Sequence, residues 1–514
     1  MKKSLHINRL AVAGMMSCLI LLGSGCQKFL DTQRQGGYDA DNYPYPGGSG
    51  PYDQFIFGAY NDLRSFNVHS QSYIVATSIR SDDADKGSTP ADGGANAISM
   101  DNFPVLPSNG FCNALWLGYY GMINKCNQTI KEVNTNTLIV ATDAVKQQTI
   151  GEARFLRGYS YFMLVRLFGS VPLIDSLFTN PAAQNNVAQS TAAQIYAFIE
   201  ADLAFAAQNL PRTWDVRFAG RATSGAANGL LAKVYLTQKK WPQAMATAQL
   251  VMNSGQYNLS TPYDRIFRED GENSSESVFE VQATATAAIP TANGVQYAQI
   301  QGVRGAGAWD LGWGWNTPSV QLEAAYETGD PRRVRTILYT STATQTFSSI
   351  YGEALPLGLP NPRYNNKVYS SPTFRNSIGN RFGYWMNVRL LRYADVVLMF
   401  AEAATEVGGT ANITAAKTAL NSVRARARGG LPNILPDVTT DVQAMLRDAI
   451  RRERRVELAM EHDRFFDIVR WGIAQDVLTA AGKTAFTNTR DVLLPIPQTQ
   501  IDLSAGVLKQ NPGY

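Results

Sequence analysis

The chain has 514 residues, 45% hydrophobic and 17% charged, enough apolar material to bury a large core. Its formal net charge of +4 falls to +1 without Lys2, Lys3 and Arg9, the charged residues ahead of Cys26, so there is no electrostatic case for nucleic acid. Only His69 and His462 lie beyond the first few residues, and neither has a ligand-type neighbour at useful spacing, which argues against a histidine-built zinc site.

Lys2, Lys3 and Arg9 precede a mostly apolar run, Leu10 to Leu22, and Gly23-Ser24-Gly25 leads into Cys26. A basic start, a short apolar stretch and small residues before a cut describe a secretory signal peptide over residues 1–25. The run is short for a bilayer span, and a polar chain follows it. A cysteine directly after the small residues resembles a bacterial lipobox, although Leu22 lies four residues before Cys26 rather than three. Cys26 is therefore the expected lipidation site. Residues 26–50, rich in Gly, Pro, Tyr and Asp from Gly36 on, suit a lipid-anchored tether.

Ser81 to Gly110 is acidic, then rich in Gly, Ala and Asn. Asp82, Asp83 and Asp85 lack the spacing of a calcium loop and read as solvating charges. If Gly110 to Lys131 is helix, Cys112 and Cys126 lie about 21 Å apart along it. A disulfide needs Cα atoms within about 7 Å, so both read as small core residues. Ala153, Leu156, Tyr159, Phe162, Met163 and Leu164 recur at helical period and predict a helix over 145–168, stopped by Gly169 and Pro172. Helices are likewise expected at 191–207, 223–238, 242–254, 390–406, 412–428 and 439–471, the last as one helix or a pair. The hairpin 223–254 turns at Lys239-Lys240-Trp241-Pro242. Its second helix carries Ala244, Ala246 and Ala248, and it resembles a tetratricopeptide repeat. Leu390 to Thr405 is apolar almost all round and must be buried, so Arg392, Asp395 and Glu402 must find partners. Gln282 to Arg381 is the largest interruption, rich in Gly, Thr, Asn and aromatics. Loops of this length are functional or disordered, and the aromatics argue against disorder.

Several strings resemble one family, the SusD/RagB outer-membrane nutrient-binding lipoproteins of Bacteroidetes. They are Cys26-Gln27-Lys28-Phe29-Leu30-Asp31; Trp116, Tyr120, Ile123, Asn124, Asn127 and Ile130; and Glu152-Ala153-Arg154-Phe155-Leu156-Arg157 with Leu167-Phe168-Gly169 and Val171-Pro172-Leu173. Later come Leu391-Arg392-Tyr393-Ala394-Asp395 with Ala401-Glu402-Ala403, then Glu453-Arg454-Arg455, Arg464-Phe465-Phe466-Asp467, Arg470-Trp471-Gly472, Leu493 to Pro497 and the terminal Gln510 to Tyr514. They run in family order across nearly the whole chain. Asp463 departs from the pattern, where relatives more often have glycine or a small polar residue. The resemblance implies an all-α, SusD-like fold: helical hairpins as scaffold and a loop-rich ligand-binding lobe. It divides the chain into an N-terminal part, 51–260, and a C-terminal part, 261–514, loop-rich over 282–385 and helical over 390–471. It also implies a non-enzymatic protein without cofactor at the cell surface, held in outer-membrane lipid. Its partners would be a SusC-like TonB-dependent porin and a glycan ligand or, as the alternative, a peptide.

Arg154, Arg157, Arg392, Asp395, Glu453, Arg454, Asp467 and Arg470 lie on helices among apolar neighbours and read as structural pairs. The run Arg451 to Arg455 is interrupted by Glu453, against a nucleic-acid role. The candidate ligand residues lie elsewhere. Trp309, Trp313 and Trp315 crowd between Gly305, Gly307, Gly312 and Gly314, which read as exposing the rings in a mobile loop. Flat indoles match the C–H face of a sugar, and Tyr297, Asn293 and Asn316 suit its hydroxyls. Trp385, beside Phe382 and Tyr384, is a further candidate. A surface glycoside hydrolase is the rival reading, since it needs only two carboxylates. No G-x-S-x-G or H-E-x-x-H motif is present.

Overall fold

Local start and stop signals set the helix ends. The Thr142 side chain accepts a hydrogen bond from the Val145 backbone N–H at the start of Asp143–Phe168, and Gly169, at φ +73°, ends it. Thr191 and Gln194 form a reciprocal capping box at the start of Ala192–Asn209. The computed structural model describes residues 50–178 and 180–514. The expected signal peptide, Cys26 and nearly all of the tether lie outside the described residues.

In chain order the main helices are Asp53–Leu63 (α1), Gly110–Thr135 (α2), Asp143–Phe168 (α3), Ala192–Asn209 (α4), Ser224–Thr237 (α5), Trp241–Met252 (α6), Tyr393–Val407 (α7), Thr410–Arg428 (α8), Gln443–Glu457 (α9) and Arg464–Arg470 (α10). Tyr52–Asn136 and Ala141–Tyr514 form one body. Within it α1 packs on α2, α2 on α3, α3 on α4, α4 on α5 and α5 on α6. Helix α6 packs on α7, and α7 on both α8 and α9. Each helix covers the apolar face of the one before, and this gives the all-α architecture expected from the sequence. Helices α3 and α7 are buried on nearly every side and form the centre. The remaining turn, Thr137–Val140, carries Leu138 and Val140 exposed. Cys112 and Cys126 are buried and unpaired on α2.

Among the described residues the strands are short and form four antiparallel pairs: β1 (Ala84–Gly87) with β5 (Trp315–Pro318), β2 (Val171–Pro172) with β3 (Gln189–Ser190), β4 (Ser277–Val281) with β8 (Val388–Arg392), and β6 (Ile337–Tyr339) with β7 (Arg363–Asn365). The β4–β8 pair corrects the helix expected from residue 390. Leu391 sits opposite Phe279 and Val388 opposite Val281, and the helix begins only at Tyr393. A continuous apolar run does not mark where strand gives way to helix. The helix expected over 439–471 is a pair. It breaks after Glu457, where Met460 and His462 take φ +65° and +74°.

Buried ion pairs hold these helices in register, as expected. Arg392 at the end of β8 meets Glu457 at 3.1 Å and Glu461 at 2.6 Å. Arg332 meets Asp330, Glu453 and Glu457 at 2.8, 2.6 and 3.1 Å. Burial pushes the Glu457 carboxyl up, but the guanidinium groups of Arg426, Arg392 and Arg332 hold it well below the usual carboxylate range. Arg157 on α3 donates to both oxygens of Asp202 on α4 at 2.8 and 2.9 Å. Asp463, the departure from the family pattern, is itself a partner. It meets Lys233 at 2.5 Å and Arg166 at 3.3 Å. Asp82 and Asp83 are buried, not solvating. Asp82 meets Arg464 at 2.8 Å, and Asp83 meets Arg455 at 2.7 Å.

Candidate ligand-binding site

The tryptophan-rich segment packs against its neighbours at Gly312 and Trp313. A Cβ on Gly312 would lie 2.3 Å from the Gln299 carbonyl oxygen, so this backbone lies directly against the short helix Tyr297–Gln301. The Trp313 N–H donates to that same carbonyl at 2.8 Å. Glycine here serves close backbone approach.

The three tryptophans take different roles. Trp315 lies in β5 and is 3% exposed. Its ring meets Phe111 edge-on at 6.5 Å and lies 5.5 Å from the Lys86 ammonium. A Cβ on Gly93 would fall 2.3 Å from it. Trp309 is half-buried at the end of a tight turn, Gly307–Trp309. Its ring stacks with Tyr369 at 6.3 Å, and Tyr369 with Tyr351 at 6.2 Å, both pairs at 28°. Beside it Asp310 and Arg381 pair at 2.5 Å, both partly exposed. Trp313 is half-buried at the edge of the main core.

The other candidates divide in the same way. Trp385 is buried, donating from Nε1 to Ser370 Oγ at 3.1 Å, with Phe374 edge-on at 5.1 Å. Tyr297 is buried, and its hydroxyl meets His462 Nε2 at 2.7 Å. Asn316 is buried at φ +56°, donating to Gln301 Oε1 at 2.7 Å. Trp315, Trp385, Tyr297 and Asn316 are thus buried in this conformation, whereas Trp309 and Trp313 are half-buried. Asn293 is exposed; its carbonyl accepts from Arg64 Nη1 at 2.5 Å and from the Thr284 N–H at 3.0 Å.

The structure also gathers residues that sequence reasoning passed over. Tyr384, next to Trp385, is half-buried and donates from its hydroxyl to Gln299 Oε1 at 2.8 Å. Gln296 Nε2 donates to the same oxygen at 2.6 Å. Trp313 and Tyr384 thus meet at Gln299, one through its backbone and one through its side chain. Half-buried rings next to amide groups can stack on an apolar face while hydrogen-bonding its edges. Among the described residues, no group of three or more His, Cys, Asp or Glu is placed to hold a metal ion.

The sequence model described as "SusD family" matches residues 251–514. The chain belongs to the SusD family. A second SusD-like model, described as "starch-binding associating with outer membrane", matches residues 58–236. The SusD-like protein P2 of Formosa agariphila is 28% identical over 486 residues, covering 89% of this chain and 91% of its own. A SusD-like protein of Bacteroides ovatus is 28% identical over 397 residues, covering 72% of this chain and 67% of its own. Among solved structures, a laminarin-binding SusD-like protein superposes with a TM-score of 0.75 at 27% identity, covering 90% of this chain and 99% of its own. Surface glycan-binding protein A of Bacteroides thetaiotaomicron, in complex with laminarihexaose, gives 0.74 at 24% identity, covering 90% and 98%. The SusD fold accounts for the helical scaffold, while the loops over 282–385 carry the candidate ligand surface.

Proposed function

We propose that this SusD-family chain is a cell-surface binding protein for oligomeric glycan, held in the outer membrane through lipid on Cys26. It passes its ligand to a SusC-like TonB-dependent porin. One observation carries the reading. Trp309 and Trp313 stay half-buried on braced positions, one over the Tyr369–Tyr351 stack and the other beside Gln299 and Tyr384. A braced ring loses little freedom when a sugar stacks on it. The laminarin-binding and laminarihexaose-bound relatives support the ligand class. An open surface of this kind gives weak affinity, in the range of about micromolar to millimolar, which suits a protein that hands its ligand on.

Titration calorimetry with laminarin oligosaccharides and other neutral glycans tests this reading, with a reducing-end assay on the same mixtures. The expected result is saturable binding without new reducing ends. Sustained release of reducing ends would favour the hydrolase, and binding of peptides alone would favour the peptide alternative.

A further inference from the structure

A second concave surface lies on the helical part of the chain, where the connection between α4 and α5 meets the segment entering β4. Its volume is about 290 Å³, close to the lower bound of roughly 300 Å³ for small-ligand sites. Trp214, Phe218 and Tyr257 line it, and none of the three is fully buried. Trp214 is fixed in place. Its Nε1 donates to the Ala222 carbonyl at 2.8 Å, and the Arg221 guanidinium lies 4.0 Å from the ring centroid. Arg221 is buried and donates to Glu152 at 2.8 and 2.6 Å and to Asp53 at 3.3 Å, so its charge is matched within the protein. The Tyr257 hydroxyl meets Thr223 Oγ1 at 3.0 Å, and its ring stacks with Tyr393 at 6.4 Å.

Hydrogen-bonding groups complete the lining. The hydroxyls of Thr213, Ser274 and Ser277 have no partner among the described residues. The Asn273 amide is oriented by a reciprocal pair with Gln282, at 2.9 Å each way. The Glu280 carboxylate accepts from Asn387 Nδ2 at 2.9 Å and from the Asn273 N–H at 3.2 Å. Arg212, which also lines the groove, donates to the Ser254 carbonyl at 2.6 Å, and the Glu280 carboxylate lies 3.6 Å from Arg389. Beside them, fixed rings and unpaired hydroxyls favour a ligand with an apolar face and polar edges.

We propose that this groove is a second saccharide subsite, taking a pyranose ring of a neutral oligosaccharide. The inference rests on the glycan reading above. The groove shares no lining residue with the Trp309 surface. A polymer that reaches both gains avidity from two weak contacts.

The test is retardation of the full mature protein in native gels cast with laminarin, amylopectin, xyloglucan or galactomannan. Trp214→Ala removes the fixed ring, and Ser274→Arg fills the groove without touching the core. For a polymer that retards the wild type, both variants are expected to bind about tenfold more weakly, the scale of losing one anchor. Adding Trp309→Ala should weaken binding further. Unchanged retardation of both groove variants would overturn the second subsite and leave the proposed function standing. Loss with Trp214→Ala alone, Ser274→Arg binding as wild type, would mark Trp214 as structural and also overturn it. If no polymer retards the wild type, the glycan reading falls and this inference with it.

Discussion

Arg455 donates to the buried carboxylate of Asp83 at 2.7 Å, across 372 residues of sequence. The contact ties the loop that leads into β1 to the end of α9. It gives one residue of the basic run on that helix a buried partner. Arg455 meets Asp82 as well, at 2.8 Å, and Arg464 meets Asp82 from the next helix.

Breaking this contact leaves a charge buried without its partner. Arg455→Met should lower stability by about 3 kcal/mol, the lower end for a broken buried pair, because Arg464 remains on Asp82. Urea unfolding followed by circular dichroism gives the difference. An unchanged midpoint would show that the pair contributes nothing net.

The two buried histidines set an acid limit on the fold. Burial lowers His69 to about 4 and His462 to about 3. His69 faces Tyr159 and Tyr73; His462 faces Tyr297 and Tyr73, with Asp463 and Lys367 acting on it electrostatically. Both stay neutral in the folded state, while the unfolded chain binds a proton at each below about pH 6.5. Their contribution is therefore complete above about pH 6.5 and is lost as pH falls toward 4. Glu272 opposes this over much of the same window, since burial raises its carboxyl to about 7. His462→Gln keeps a hydrogen-bond partner for Tyr297 and removes one titration. Its loss of stability between pH 6.5 and 5 should be smaller than that of the wild type by about 2 kcal/mol. Equal losses in denaturant titrations at the two pH values would contradict the assignment.

Burial separates the tryptophans into two experimental classes. Trp315→Ala and Trp385→Ala should each lower stability by about 3–5 kcal/mol, as for large core side chains. Trp309→Ala and Trp313→Ala should melt near the wild type and bind glycan about tenfold more weakly. Melting curves and calorimetry on the four variants decide this. A Trp309→Ala variant that melts far lower yet binds as before would make that ring core.

Gly93 is the position where one methyl group tests the support of Trp315. Its φ is +75°, and a Cβ would overlap the indole. Gly93→Ala should cost about 1–3 kcal/mol from backbone conformation alone. A melting temperature equal to wild type would show that the loop adjusts without loss.

Membrane attachment has its own test. Cys26→Ala should release the chain from the outer-membrane fraction or leave its leader uncut. An unchanged distribution after fractionation would remove Cys26 as the anchor.

Helix positions were legible because helical periodicity and capping act between residues three or four apart. Gly169 marks an end that needs no distant partner. Buried charges on apolar helices also announced that partners must exist, since none can stay buried alone. The sequence did not name those partners. Asp82 and Asp83 read as solvating until Arg455 and Arg464 arrived from almost the other end of the chain. Exposure of neighbouring aromatics was equally out of reach. Trp313 and Trp315 sit among the same glycines, yet only Trp315 is closed in by Phe111 and Gly93. Tyr384 and Trp385 are adjacent, and the chain directs one to Gln299 and the other to Ser370. The Trp214 groove left no local pattern, because its lining comes from three stretches, within 212–223, 256–257 and 273–280, that only the fold brings together. Local order follows from short-range spacing. Which face meets solvent depends on what packs over it, and the tertiary structure alone decided that.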